Sequence, residues 1–286
     1  MGIMSAYVFP HPPIIVPAVG CGEEAPASKT IESCRALVRE IVATNADALV
    51  VSSPHAYLVP DGFYFTTSPK LTGSMMRFGV PNTTIDINVD SAFTQAVIDE
   101  ATQAGIRIIG SAPQAIESYD HGTYVPIYFI AEAYAAREGV DVTAGVPDGY
   151  ELPVPVVRLG MSGLSGEAHD KLGRIIARVA DELGRKAIYI ASGDCAHKLS
   201  EDGPYGFTQD AVELENAIVH ALDTGNLEEL FAIDPRIRSN GGDCGTRSFQ
   251  IMAGAVSHMN YACELLSEEA PFGIGYCVAA IRPKAG

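Results

Sequence analysis

The sequence contains no tryptophan, and it also lacks the short patterns that most directly assign a function. It has no GxxxxGK(S/T) phosphate loop, no GxGxxG dinucleotide loop and no GxSxG nucleophile turn. Its apolar stretches are shorter than the roughly 20 residues that a membrane-spanning helix requires. A nucleotide cofactor, a serine-hydrolase mechanism and a membrane-spanning segment are therefore not supported.

Positive charge is also scarce, because 19 lysines and arginines stand against 35 acidic residues and give a net charge of −16. Nucleic-acid binders normally carry a basic patch or stripe, so we expect neither a nucleic-acid partner nor a membrane surface as partner. The six cysteines show no CxxC spacing, which favours reduced thiols over a disulfide framework. No basic segment followed by an apolar core opens the chain, so we expect no secretory signal and a cytoplasmic protein.

What the chain does have is a regular alternation of apolar strands and amphipathic helices. Its 286 residues can bury a large core, and 47% of them are hydrophobic. We therefore expect one α/β domain over residues 1–286, with a largely parallel or mixed central sheet and helices on both faces. The main strands are expected at 3–9, 47–53, 155–160, 186–191 and 275–282, with two more at 63–67 and 84–89. The helices are expected at 28–44, 91–104, 124–137, 165–184, 210–223, 226–232 and 247–266.

Four histidines occupy the same kind of position, shortly after an apolar strand: His11, His55, His121 and His197. Ligands of open α/β sheets bind outside the carboxyl ends of the strands, so we expect these four side chains to converge on one site. The remaining three lie within or near helices and are expected to face solvent: His169, His220 and His258.

Converging imidazoles indicate a metal site. Neutral imidazole suits Zn, Cu, Fe and Ni, and two histidines with one carboxylate suit non-haem Fe(II). Asp194, three residues before His197, is one candidate carboxylate, or else a group that orients a histidine ring. Asp243 is another, in a glycine-rich loop where Cys244 offers a thiolate. The alternative for Asp243 is that it caps the helix that follows.

Four motifs resemble a known family. They are HPP at 11–13, SPHA at 53–56, DHGTYVP at 120–126 and SGDCAH at 192–197, and the DHGxxxP stretch is the most specific. In this order and spacing they resemble the class III extradiol ring-cleavage dioxygenases, the family of the LigB-type catalytic subunit, and their relatives in the Memo group. The resemblance covers most of the chain and implies a LigB-like α/β fold.

The resemblance also implies roles for individual residues. His11 and His55 correspond to the two histidines that hold Fe(II) in the dioxygenases, His197 to the acid/base group and His121 to a residue of the substrate pocket. The family's third ligand is a glutamate near the last helices, and no glutamate occupies that place here. Asp243 or Cys244 stands there instead, and we favour Asp243 for an oxygen-rich iron site.

The function expected from the resemblance is extradiol cleavage of a catechol or aminophenol by O2, with Fe(II) as cofactor or Zn in its place. Asp194 is expected to hold the ring of His197, and Tyr124 and Tyr205 to hydrogen-bond the substrate. The alternative is a non-catalytic metal-binding or redox protein of the Memo type. A zinc hydrolase is a more distant third. We also expect a homo-oligomer.

Overall fold

Twelve strands and eight α-helices are formed by the residues that the computed structural model describes, 2–111 and 118–284. The strands are β1 (Gly2–Phe9), β2 (Ala48–Ser53), β3 (Phe63–Phe65), β4 (Lys70–Met75), β5 (Val80–Asn88), β6 (Ile108–Gly110), β7 (Ser118–Tyr119), β8 (Tyr150–Glu151), β9 (Val156–Gly160), β10 (Lys186–Ser192), β11 (Tyr261–Glu269) and β12 (Tyr276–Pro283). The α-helices are α1 (Pro17–Gly20), α2 (Ser28–Ala43), α3 (Ser91–Gln103), α4 (His121–Arg137), α5 (Gly166–Glu182), α6 (Gln209–Thr224), α7 (Pro235–Gly241) and α8 (Thr246–Val256). Four 3-10 turns lie at Pro13–Ile15, Ala25–Ala27, Met76–Phe78 and Leu227–Phe231.

The main sheet has eight strands in the order β11-β12-β1-β10-β2-β9-β3-β6. Its four central strands, β1, β10, β2 and β9, run parallel to one another. Strand β12 pairs antiparallel with β1, and β11 pairs antiparallel with β12 at the edge. The expected fold class, a mixed sheet in a single α/β domain, is confirmed.

Helices cover both faces of this sheet, because alternate residues of each central strand point to opposite sides. In β1, Val8 packs into a core that includes α5 and α8, whereas Tyr7 packs on the other side into a core that includes α2 and α4. The strands are buried on both faces, which explains their continuous apolar sequences.

A second sheet of four strands, β7-β4-β5-β8, lies beside α4. It is built from the region between β3 and α3 and from short segments that pair with it. The 3-10 turn at Met76–Phe78 joins β4 to β5 and carries exposed apolar side chains, 66% for Met76 and 40% for Phe78.

Three sequence predictions fail on secondary structure. The helix expected at 247–266 ends at Val256, and Tyr261–Glu269 forms edge strand β11 because it pairs with β12. The helix expected at 226–232 is a 3-10 turn. Helix α4 begins at His121 rather than 124, because the Asp120 side chain caps it. The loop expected before His121 includes residues 112–117, which lie outside the described residues.

No helix in the described part of the chain is both long and apolar enough to cross a membrane.

The crossing of α5 and α8 leaves no room for a side chain at Gly173. A Cβ atom there would lie 2.0 Å from the carbonyl oxygen of Ile251 and 2.6 Å from the amide nitrogen of Ala255. Glycine-to-alanine changes inside helices normally stabilise by about 0.5–1 kcal/mol. We expect Gly173→Ala instead to lower the free energy of unfolding by about 1–3 kcal/mol, because the helices must separate.

Urea unfolding measures this effect, and Arg174→Ala on the exposed side of α5 is the control. That change should stay within about 0.5 kcal/mol of the parent, as surface substitutions usually do. A stabilised Gly173→Ala protein would contradict the close packing described for this crossing.

Candidate metal centre

The carboxyl ends of three parallel strands bring the candidate side chains together. Phe9 at the end of β1 pairs with Ser192 at the end of β10, and Ser52 near the end of β2 pairs with Ala191. The segments that follow these three strands carry His11, Asp194 and His55 to one edge of the sheet.

Three histidines meet at this edge. The Nε2 atoms of His11 and His55 are 3.0 Å apart. The ring of His121 lies with its centroid 4.1 Å from that of His55 and 5.5 Å from that of His11. One ring nitrogen from each of the three lies within 4.8 Å of the others. The convergence expected from the sequence is therefore present for these three residues.

Hydrogen bonds fix which nitrogen of His11 is free. Ser192 Oγ donates its hydrogen to the carbonyl oxygen of Gly122. Ser192 Oγ also lies 2.9 Å from His11 Nδ1. The Oγ atom must therefore accept from Nδ1, which places the proton on Nδ1 and leaves the lone pair on Nε2. An imidazole held in this tautomer is ready to bind a metal through Nε2.

A carboxylate and a thiol approach the same nitrogen. Asp194 Oδ2 and Cys244 Sγ each lie 3.7 Å from His11 Nε2. Asp194 is held in place because its Oδ1 accepts a hydrogen bond of 2.8 Å from the backbone N–H of His11. The loop that carries Cys244 comes this close because Gly193 has no side chain: a Cβ there would lie 2.3 Å from the Cα of Gly245.

Asp243 does not lie in this group. Its Oδ1 accepts a 2.9 Å hydrogen bond from the backbone N–H of Thr246, the first residue of α8, and its Oδ2 is 3.6 Å from Arg238 Nη1. These contacts match the capping role that the sequence left open. Asp243, which we favoured as the third ligand, therefore lies outside the group formed by His11, Asp194 and Cys244.

His197 lies on the other side of Asp194. Its Nε2 is 3.9 Å from Asp194 Oδ2 and is buried without a hydrogen-bond partner in the described residues. Its ring stacks on that of Tyr205, with centroids 5.4 Å apart and planes 24° from parallel. An unpartnered buried nitrogen is costly, so this atom is available to a ligand.

The two predicted substrate-binding tyrosines differ in position. Tyr205 is 56% exposed and covers His197 at the mouth of the site. Tyr124 is 0% exposed, stacks on Tyr128, and donates its hydroxyl to the carbonyl oxygen of Thr83 at 2.6 Å. The structure therefore does not bring Tyr124 into the site, because its hydroxyl is already bonded within the core.

A buried ion pair, not identified from the sequence, supports two of the histidines. Asp120 accepts hydrogen bonds of 2.6 Å from Arg158 and from Ser53 Oγ, and that same Oγ lies 3.2 Å from the backbone nitrogen of His55. Asp120 also caps α4, whose first residue is His121. The sequence could have indicated this ion pair, because Arg158 lies in an apolar strand and a buried arginine needs an acidic partner.

Burial sets the charges of these groups. Burial and the neighbouring His55 lower the pKa of His11 well below its usual value, and they lower that of His121 to about 3. Burial also lowers the pKa of His197, and it raises that of Asp194 to about 6. The imidazoles of His11, His121 and His197 are therefore neutral at pH 7. Neutral imidazoles beside a carboxylate and a thiol form a donor set that fits a transition-metal ion.

Two cavities open beside the centre. One of about 550 Å³ is lined by residues that include His55, His121 and Phe78. The other, of about 330 Å³, reaches Cys244 and Leu58. A ligand in the larger cavity would meet His55 and His121, and one in the smaller cavity would meet Cys244.

The expectation that His169 faces solvent is wrong. His169 does not face solvent: it is 0% exposed, and its Nδ1 lies 2.8 Å from the carbonyl oxygen of Ser165.

A second group of three buried residues also places potential ligand atoms within 4.8 Å of one another: Cys195, Glu215 and Cys277. Glu215 accepts a 2.9 Å hydrogen bond from the Ala196 N–H, which steadies the loop between Asp194 and His197.

The fold and the site together define an α/β protein with a histidine-rich candidate metal centre at the carboxyl edge of its sheet. Residues 5–279 match the family described as the catalytic LigB subunit of aromatic ring-opening dioxygenase, and the chain belongs to this family. The resemblance noted in the sequence is thereby confirmed for the LigB family.

Two relatives illustrate the match. Protein CA_C1420 of Clostridium acetobutylicum is 30% identical over 288 residues, which cover 99% of this chain but 58% of that protein. The chain thus spans little more than half the length of this relative. The crystal structure of the uncharacterized protein JW3007 from Escherichia coli K12 superposes with a TM-score of 0.58 at 15% identity, covering 98% of this chain and 99% of the other. This likeness concerns the fold.

If the centre takes up Fe(II), we expect His11→Ala and His55→Ala each to bind far less of it than the parent protein, because each change removes one of two ring nitrogens that lie 3.0 Å apart. Iron per chain is measured by elemental analysis after anaerobic reconstitution with Fe(II) and gel filtration. Asp243→Asn is the matched control and should keep its iron, since Asp243 serves the helix end.

Circular dichroism should confirm that the variants remain folded. Parental iron content in both histidine variants would remove these residues from the metal centre.

Proposed function

We propose that this protein is a non-haem Fe(II)-dependent dioxygenase of the extradiol type, which opens the ring of a catechol or aminophenol with O2. The observation that carries the proposal is the pair of Nε2 atoms of His11 and His55, which lie 3.0 Å apart with the lone pair of His11 directed toward His55. Membership of a family of aromatic ring-opening dioxygenases supports the reaction class.

Iron would be held by His11 and His55, with Asp194 as the third group. Two histidines and one carboxylate are the donor set typical of Fe(II) oxygen chemistry, and they leave positions for substrate and O2. Asp194 offers this carboxylate at 3.7 Å from His11 Nε2. Zinc is the alternative ion, because the same donors also suit it.

When bound, the metal supplies Lewis acidity that makes a phenol more acidic, together with the redox chemistry that O2 requires. The protein's own part is proton transfer and orientation. His197 is neutral and its Nε2 has no hydrogen-bond partner among the residues that the structure describes, so it can accept the second hydroxyl proton of a catechol and return it later. Asp194, 3.9 Å away, favours the protonated form of His197 and thereby assists this step.

The substrate ring would enter the larger cavity. His121 faces it with Phe78 at a ring-centroid distance of 5.4 Å, in an edge-to-face arrangement. Aromatic rings packed in this way provide a surface for another ring. The neutral state of His121 lets it hydrogen-bond a substrate without adding charge.

One observation supports the alternative of a non-catalytic metal-binding or redox protein of the Memo type. Cys244 Sγ lies as close to His11 Nε2 as the carboxylate of Asp194 does, 3.7 Å in each case. A thiolate ligand would favour softer metals than Fe(II). Cys244 would be the third ligand in a Memo-type metal-binding protein, whereas Asp194 is the third ligand in the dioxygenase that we propose.

Oxygen consumption distinguishes the two functions. We expect the Fe(II)-reconstituted protein to consume O2 with at least one member of a panel of catechols and aminophenols, and to form a coloured ring-opened product. The His11→Ala variant, treated in the same way, controls for chemistry of free iron. Tight binding of iron without turnover of any panel member would favour the Memo-type alternative.

For a substrate found in this way, we expect His197→Ala to keep its iron and to lose about a hundred- to ten-thousandfold in kcat, the contribution typical of a general acid–base group. The exposed His220 on α6 provides the control, and His220→Ala should match the parent. Asp194→Asn should lose iron, because it replaces the proposed carboxylate ligand. An iron-free His197→Ala protein would instead make His197 a ligand, and a parental rate would end its catalytic assignment.

A further inference from the structure

The second group of potential ligands shares no residue with the candidate metal centre. Cys195 follows β10, Glu215 lies in α6 and Cys277 lies in β12. They are 0%, 6% and 0% exposed, and one carboxylate oxygen and the two sulfurs lie within 4.8 Å of one another. Buried cysteines alone are ordinary core residues, so Glu215 is the member of this group that requires an explanation.

The carboxyl group of Glu215 is only half satisfied. Its Oε2 accepts a 2.9 Å hydrogen bond from the backbone N–H of Ala196, whereas its Oε1 is buried and has no hydrogen-bond partner among the residues that the structure describes. Burial raises the pKa of Glu215 to about 7, and the negative charges of Glu268 and Asp194 act in the same direction. A buried polar atom without a partner is costly. Glu215 therefore points to a missing positively charged partner.

The backbone reserves the space that this carboxylate occupies. Gly275 lies two residues before Cys277, and a Cβ atom there would overlap both carboxylate oxygens of Glu215. Gly275 also exchanges two hydrogen bonds of 2.8 Å with the loop after β10: its carbonyl oxygen accepts from the N–H of Cys195, and its N–H donates to the carbonyl oxygen of Ala196. The two cysteines are thereby held in position beside the carboxylate before any ligand binds.

Two sulfurs and one carboxylate oxygen form a donor set for zinc. Zn²⁺ binds both thiolate and carboxylate, with Zn–S bonds of about 2.3 Å and Zn–O bonds of about 2.0–2.2 Å. Ligand atoms of one such ion lie at most about 4.6 Å apart, and the three candidate atoms lie within 4.8 Å, so small side-chain rotations complete the set. Cu(I) also prefers thiolates, but a carboxylate suits harder ions. Zinc is the ion that accepts all three groups.

We propose that Cys195, Glu215 and Cys277 bind one Zn²⁺ as a structural site, separate from the histidine centre. The thiols release their protons to solvent when the ion binds, as cysteine ligands must, and the cation pairs with the carboxylate of Glu215. The ion joins α6 and β12 to the loop that carries Asp194 and His197, and so holds that loop in place. The site does not depend on the proposed dioxygenase activity, because its ligands are different residues.

The test uses the His11→Ala/His55→Ala double variant, in which the histidine centre has lost its two closest nitrogens. The protein is purified under argon from cells grown in zinc-supplemented medium, because a buried site fills as the chain folds. We expect elemental analysis to find about one Zn²⁺ per chain, and the zinc K-edge X-ray absorption spectrum to show two sulfur neighbours at about 2.3 Å. Adding Cys277→Ser should remove most of this zinc.

Cys34→Ser in the same double variant is the matched control, because Cys34 is also a buried free cysteine but lies in α2, outside the group. It should keep the zinc. Zinc-free double variant, or zinc with fewer than two sulfur neighbours, would overturn the proposal, as would a folded Cys277→Ser protein with unchanged zinc content. The absorption spectrum is recorded with all six cysteines present, so it decides the question even if the cysteine variants do not fold.

Thiol titration identifies the competing possibility, a disulfide between Cys195 and Cys277. After unfolding in denaturant with a chelator, we expect all six cysteines of the double variant to react as free thiols. Loss of two thiols, with both residues recovered in one disulfide-linked peptide, would overturn the zinc site in favour of a redox-active pair.

Discussion

The buried ion pair between Asp120 and Arg158 is the interaction on which the geometry of the site most depends. Arg158 is 3% exposed and donates to Asp120, Thr123 and Thr66. Through Asp120 it joins strand β9 to the start of α4 and to the loop after β2. Removing one partner of such a pair typically costs about 3–5 kcal/mol, because the other charge stays buried. Arg158 therefore helps to position the two histidine-bearing segments through Asp120.

The chemistry of the candidate metal centre depends on the burial of its histidines beside the Asp120–Arg158 ion pair. Desolvation keeps the imidazole of His11 neutral, and the hydrogen bond from its Nδ1 to Ser192 directs the free lone pair toward His55. Asp194 Oδ2 and Cys244 Sγ lie at the same distance from His11 Nε2, 3.7 Å. Which of them completes the donor set decides between a hard site suited to Fe(II) and a softer one. The same fold thus accommodates an oxygen-activating enzyme or a metal-binding protein.

Local patterns in the sequence predicted the parts of the structure that depend on strand ends. Apolar runs followed by histidines correctly predicted that His11 and His55 meet, because β1 and β2 are parallel and end at a common edge. His121 reaches the same place by another route, as the first residue of α4. The edge strand β11 was missed, since its pairing with β12 overrides the local pattern. The positions of Tyr124, His169 and Asp243 depend on which face of an element meets the core, and sequence spacing alone did not reveal that. The partners of Arg158 come from segments that are distant in the sequence, so no local pattern identifies them.

The most direct test of the account is an anomalous-diffraction map, recorded at the iron edge from crystals grown anaerobically with Fe(II). We predict one strong peak bonded to Nε2 of both His11 and His55, with Asp194 as the third protein ligand. A peak at the buried cluster of Cys195, Glu215 and Cys277 instead, or no peak beside His11 and His55, would contradict it.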